Sequence, residues 1–179
     1  MMFGDLGARV IKVENPGKGD DSRSWGPPFV GPEDNPQATY FFSCNRNKES
    51  IALDLKSETG KDTLTGLIAR ADVLIENFRS GVLDRLGFST ARCMEINPRL
   101  VILSITGFGH DGPEASRAGY DQIAQGEAGL MSLTGSGPDD MQRVGVPIAD
   151  LLAGIYGSYG VLAALLERER TGKGKVVRT

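Results

Sequence analysis

Histidine, cysteine and tryptophan are scarce in this chain of 179 residues, which has one His, two Cys and one Trp. The two cysteines, Cys44 and Cys93, lie far apart and in no metal-ligand spacing. They read as reduced thiols, so neither a disulfide framework nor a zinc site is expected. The one histidine, His110, would have to serve any Ser-His-Asp triad, and no G-x-S-x-G elbow accompanies it. It reads as a polar loop residue. Basic excess is absent too: the net charge is −3, with no Lys/Arg stripe, so nucleic acid is not an expected partner. The longest apolar run, residues 151–166, contains Tyr156, Ser158 and Tyr159 and is closed by Asp150 and Glu167. It falls short of the ~20 apolar residues of a membrane span, and a buried helix is expected instead. Met1 and Met2 lead into a glycine-containing segment rather than a charged and then apolar leader. A cytoplasmic setting is expected, or a mitochondrial matrix if the source is eukaryotic.

What remains is an ordinary globular composition, 40% hydrophobic and 24% charged, of a length that suggests one domain or a large part of one, and without a basic patch small-molecule chemistry is expected. Residues 1–7 read as a helix end stopped by Gly7, and residues 9–13 (RVIKV) as a strand. Further strands are expected at 51–53, 73–75 and 100–105, the last two apolar enough to be covered on both faces. Helices are expected at 59–71, where Leu64, Leu67 and Ile68 share a face, at 89–96 with Ser89 as N-cap, at 121–131 and at 150–168. Residues 175–178 look like a further strand beginning. Strands alternating with helices predict an α/β fold, an open, mostly parallel Rossmann-like sheet with helices on both faces. The helix end at the start and the strand at the finish read as the edges of a partial domain, with a first strand and a C-terminal portion lying outside residues 1–179.

Residues 15–37 interrupt the alternation with five of the nine prolines and four glycines. A loop this long is expected to be a binding loop or lid, and Trp25, Phe29 and Val30 give it something to pack with. Gly107, Gly109 and Gly112 spell G-x-G-x-x-G after a strand, the pattern of a dinucleotide site. Pro113 follows at once, and no acidic residue closes a second strand some 20 residues on, so the stretch reads as a turn at the carboxyl end of a strand. Asp150 follows an apolar approach and opens a long helix. It is expected at or near the N-cap, its carboxylate held by backbone amides and favoured by the helix dipole, as a plain cap or as a reacting group.

Six segments, taken in order, resemble the family III CoA-transferases, the group of formyl-CoA transferase and carnitine CoA-transferase. They are DLGARVIKVENPGKGDDSR (5–23), NRNKESIALDLKSETG (45–60), ADVLIENFRSGVLDRLGF (71–88), SITGFGHDGP (104–113), RAGYDQIAQGEAGLMSLTG (117–135) and GVPIADLLAG (145–154). The resemblance implies an enzyme that transfers CoA between carboxylic acids, with Asp150 as the catalytic nucleophile. It implies contacts with CoA from Arg23 (to phosphate), Leu53 and Lys56 (flanking adenine), Asn77, Phe78 and Arg85 (lining the site), and Tyr120 near the reacting centre. The CoA thioester is then substrate, with no tightly bound cofactor and no metal. The partners implied are an acyl-CoA, a carboxylic acid and a second copy in an interlocked homodimer, with no nucleic acid and no membrane. The stretch DDSRSWGPPFVG is similar to members that use succinyl-CoA and dicarboxylic acids such as glutarate. Two alternatives stay open. One is an α-methylacyl-CoA racemase, although the resembling racemases place a His where this chain has Tyr120, a poor base near neutral pH. The other is a non-catalytic CoA-binding fragment.

Overall fold

The computed structural model describes residues 1–179 and divides into two compact units, Met1–Leu64 and Thr65–Thr179. In the first unit, helix α1 (Met2–Asp5) ends where Gly7 adopts a φ of 92°, the left-handed stop that its sequence position announces. Strand β1 (Ile11–Glu14) follows. The Pro- and Gly-rich stretch then forms a 3₁₀ turn (Asp21–Ser24) and two short antiparallel strands, β2 (Phe29–Val30) and β3 (Gln37–Ala38). It is therefore a loop with structure of its own: the rings of Trp25 and Tyr40 lie 5.2 Å apart and tilted. Helix α2 (Thr39–Asn45) leads to β4 (Glu49–Ala52), which pairs parallel with β1, Val13 opposite Ile51. Helix α3 (Glu58–Ile68), which spans the division between the units, buries Leu64 and Ile68 of the three residues its periodicity selects and leaves Leu67 half-buried.

The second unit carries a three-stranded parallel sheet in the order β5 (Val73–Glu76), β6 (Val101–Ser104), β7 (Val176–Arg178). Helices α4 (Val82–Arg85) and α5 (Thr90–Ile96) cross from β5 to β6. Helices α6 (Asp121–Glu127) and α7 (Ile148–Thr171) lie between β6 and β7, with a 3₁₀ turn at Leu130–Leu133. Ser89 caps α5 as expected, its hydroxyl accepting from the Arg92 amide at 3.1 Å. The mixed α/β class with parallel strands thus stands, arranged as two parallel ladders, one in each unit.

Central β6 is buried throughout, and with Phe88, Cys93, Leu100, Val161 and Ala164 it makes the core of this unit. The expectation of two-sided cover fails for β5, an edge strand of this sheet, where the face that carries Ile75 is left open and Ile75 is 48% exposed. It fails in part for α7 as well. This helix runs 24 residues, longer than expected, and packs one side on β6 and β7. Gly157 and Gly160 permit that approach: a Cβ would stand 2.9 Å from Leu103 Cδ2 on the first and 2.5 Å from Val177 Cγ1 on the second. Leu151, Leu152, Tyr156, Tyr159, Leu162 and Leu166 on its other sides remain exposed. By length and composition alone α7 would pass for a membrane span; its packed side, with Gly157, Ser158, Val161, Ala164 and Arg168 buried, is how a helix lies on a sheet.

Candidate active site

In the first unit the carboxyl ends of β1 and β4 hold three of the residues singled out from the sequence. Glu14 closes β1, and its side chain is only 4% exposed. A buried carboxylate needs donors, and Glu14 has four: Arg23 Nε at 2.8 Å, Arg23 Nη2 at 2.9 Å, the Ser50 hydroxyl at 2.7 Å and the Asp20 amide at 2.8 Å. The Arg23 bonds are the largest reason its pKa is pushed down to about 2. Arg23 also lies over the Phe41 ring, 4.0 Å from its centroid. The arginine implied as a phosphate ligand is therefore anchored in a bidentate pair, with its Nη1 end uncommitted. Leu53 is tied to the same residue by its amide, which donates to the Glu14 carbonyl at 3.0 Å. Lys56 is exposed in the turn after β4, where its amide donates to Asp54 Oδ1 at 2.9 Å.

Because Glu14 is held below its ordinary 4.5, its ionised form stabilises the fold above that pH, and this contribution is lost as pH falls toward 2. Glu14→Gln is expected to lower stability at neutral pH and to flatten the decline between roughly pH 4.5 and 2. Denaturant unfolding across that range checks this; parallel curves for the two proteins would rule Glu14 out as the group responsible.

In the second unit the carboxyl end of β5 carries Asn77 and Phe78. Asn77 Nδ2 donates to the Ile105 carbonyl at 2.9 Å, which links the ends of β5 and β6. Phe78 is 40% exposed, and its amide donates to Glu76 Oε2 at 2.9 Å. Arg85, in α4, is exposed, its Nη1 3.3 Å from where a Cβ on Gly81 would lie. The glycine run after β6 is a turn, Gly109 and Gly112 both at positive φ, and the Ser80 hydroxyl donates to the Gly109 carbonyl at 3.3 Å. His110 lies in that turn, its Nε2 buried without a partner.

Tyr120 and Asp150 are brought into relation by a residue between them in role, Asp121. Tyr120 is the N-cap position of α6 and 63% exposed. Asp121 follows and is buried, its Oδ1 accepting from the Ala149 amide at 2.8 Å and its Oδ2 from Gln125 Nε2 at 2.6 Å. Gln125, 1% exposed, accepts from the Val144 amide at 2.8 Å through Oε1. The N-cap expectation for Asp150 is corrected here. Helix α7 starts at Ile148 with Pro147 at the cap, so Asp150 is the third residue of its first turn. Asp121, from another helix, takes the capping bond in its place. Nothing in the chain donates a hydrogen bond to the Asp150 carboxylate, and its pKa is raised from the ordinary 3.8, first by partial removal of the carboxylate from water and then by the like charge of Asp121. Asp150 is thus a solvent-accessible, unpaired carboxylate of raised basicity beside a helix N-terminus. That combination suits a nucleophile better than a structural acid. Asp121 and Gln125 escaped the sequence reading. The only local signal is their i, i+4 spacing on α6; their amide partners lie about 20 to 30 residues away.

A model of CoA-transferase family III matches residues 1–179. The succinyl-CoA:glutarate CoA-transferase of Mus musculus is 48% identical over 174 residues, covering 97% of this chain and 39% of the relative. The succinate–glutarate CoA-transferase of Agrobacterium fabrum is 46% identical, covering 97% and 44%. The acetyl-CoA:oxalate CoA-transferase of Acetobacter aceti is 48% identical, covering 95% and 43%. Among solved structures, a CAIB/BAIF family protein from Brucella suis superposes with a TM-score of 0.92 at 49% identity, over 98% of this chain and 46% of that one. The chain spans about two fifths of the length of the curated relatives it matches.

Proposed function

The chain belongs to CoA-transferase family III, and from that premise we propose that it is part of an enzyme that moves CoA from an acyl-CoA to a carboxylic acid, with Asp150 as nucleophile. The observation that carries this is the Asp150 carboxylate itself, accessible, unpaired and of raised basicity in the first turn of α7. In the proposed sequence an Asp150 oxygen attacks the thioester carbonyl, and the C–S bond breaks with the electron pair leaving on the CoA thiolate. The product is a mixed aspartyl anhydride. The thiolate then attacks Asp150 Cγ, releasing the donor as a free carboxylate and leaving an aspartyl-CoA thioester. The acceptor carboxylate attacks Cγ in turn, the thiolate leaves again, and its attack on the acceptor's carbonyl restores Asp150 and yields the new acyl-CoA. Each difficult exchange is divided into easier ones, and no proton, metal or oxidant is consumed. Water must be kept out, since it would hydrolyse the anhydride.

Succinyl-CoA is the proposed donor and a dicarboxylate of the glutarate class the acceptor, the pair for which the Mus musculus relative is named, while the Agrobacterium fabrum relative is named for succinate and glutarate. Arg23, Leu53, Lys56, Asn77, Phe78, Arg85 and Tyr120 are proposed to contact CoA. All but Arg23 and Leu53 present substantially exposed side chains at or after the carboxyl ends of parallel strands or beside Asp121, the end of an α/β sheet where ligands bind. The uncovered apolar side of α7 supports the homodimer reading. The test is intact-mass spectrometry of the full-length gene product after incubation with succinyl-CoA and an acid quench. An acyl or CoA adduct mapping to Asp150, discharged by glutarate, is the expected result. A protein that binds CoA yet forms no adduct would refute the nucleophile assignment.

A further inference from the structure

We infer that Asp121 and Gln125 form a buried clamp that positions Asp150 for attack, holding the segment that delivers it at two amides. The inference rests on the nucleophile reading above. Its ground is the geometry of one short stretch. Residues 134–147 contain no helix or strand, and α7 begins directly after them at Ile148. A helix start fed by irregular chain leaves amides without partners. Here one of them, Ala149 N, is taken by Asp121 Oδ1, and Val144 N is taken by Gln125 Oε1. The two side chains are joined to each other by Gln125 Nε2 on Asp121 Oδ2, and the same Nε2 reaches the Val146 carbonyl at 3.4 Å. Asp121 and Gln125 are 8% and 1% exposed. Buried polar networks of this kind persist only when every member is satisfied, and then they fix one arrangement. The arrangement fixed is the backbone immediately before Asp150, where a shift of about 1 Å costs a reaction on the order of a hundredfold. Asp121 is also the charged group whose field acts on Asp150, so the clamp raises the nucleophile's basicity as well as placing it.

The pattern of donors makes a decisive variant pair possible. In Asp121→Asn, Oδ1 still accepts from Ala149, but the new amide nitrogen faces Gln125 Nε2, donor against donor. In the double variant Asp121→Asn with Gln125→Glu, the asparagine donates to the glutamate, whose other oxygen accepts from Val144; only the long contact to Val146 is lost. The full-length gene product is mixed with succinyl-CoA, and the single-turnover rate of the Asp150 adduct is followed across pH, together with CoA affinity and amide exchange over residues 144–150. Asp121→Asn is expected to slow adduct formation on the order of tenfold to a hundredfold, to move the acid limb of the rate profile to lower pH, and to speed exchange at the clamped amides, with CoA affinity retained. The double variant is expected to recover most of the exchange protection and rate. Unchanged exchange in Asp121→Asn overturns the clamp. Faster exchange with an unchanged adduct rate overturns its positioning role. An unsubstituted protein that makes no adduct refutes the nucleophile reading instead, and the positioning role with it.

Discussion

Asp150→Ala is expected to lower CoA transfer by about 10⁴-fold or more, the scale at which removing a covalent nucleophile acts, while CoA affinity stays close to that of the unsubstituted protein. The large loss follows from the chemistry. With no carboxylate there is neither anhydride nor aspartyl thioester, and direct exchange between an acyl-CoA and a free carboxylate has no covalent path on the protein. Retained affinity follows from the surroundings of Asp150. Nothing in the chain donates to its carboxylate, so truncation leaves no orphaned partner behind. The helix start does not depend on it either, since the capping bond at Ala149 comes from Asp121. Removing an ionised group beside Asp121 also relieves a like-charge contact, so thermal stability is expected to be unchanged or slightly raised. Transfer assays, calorimetric CoA titration and melting curves on the two proteins together decide the matter. A variant that melts early and loses CoA along with activity would make Asp150 a structural residue.

The same residue shows where the sequence was legible and where it was not. An aspartate opening a long apolar helix could be seen from the order of residues alone, and so could β6, the Ser89 cap and the Gly7 stop. The Ser89 cap and the Gly7 stop are set by interactions within a few residues, and β6 announces itself by an unbroken apolar run. Two of the readings that needed amendment depend on partners distant in sequence. Asp150 was expected to cap its own helix. The capping bond at Ala149 came instead from Asp121, 28 residues before Ala149, and the helix reaches back to Ile148. Likewise β5 reads as a strand covered on both faces, yet Ile75 is open because no element of the chain packs over it, and cover of a sheet face comes from segments distant in sequence. On α7, apolar residues occur on every side, so periodicity has no polar face from which to say which side β6 and β7 would cover. The phosphate role implied for Arg23 was blind to Glu14 for the same reason: two residues nine apart met only when β1 and the 3₁₀ turn were in place.

Gly107→Ala is expected to damage the fold strongly, and it separates two explanations of the glycine run after β6. A Cβ at Gly107 would lie 2.2 Å from the Cα of Gly119, and a Cβ at Gly119 would lie 2.2 Å from the Cα of Gly107. Carbon atoms in contact sit about 3.5 to 4.0 Å apart, so the two backbones would have to separate by more than an ångström. Neither obstacle is a side chain that might swing aside. The change is therefore placed at the upper end of overpacking, about 3 kcal/mol, a fall in melting temperature of roughly 10 °C for a chain of this size. Gly109 offers the contrast. Its φ of 84° disfavours a side chain, but the nearest atom to a new Cβ is 3.9 Å away, so Gly109→Ala is expected to cost about 1 kcal/mol. A dinucleotide cradle would reverse the order in binding, because there the second glycine is the one that lets backbone meet the pyrophosphate. Melting curves and CoA titrations of the two variants tell these apart. A Gly107→Ala protein that melts normally, beside a Gly109→Ala protein that no longer binds CoA, would make the run a phosphate loop. Early melting of Gly107→Ala with CoA binding intact in Gly109→Ala would make it a backbone crossing that sets Gly119, and with it Tyr120 and the start of α6, in place.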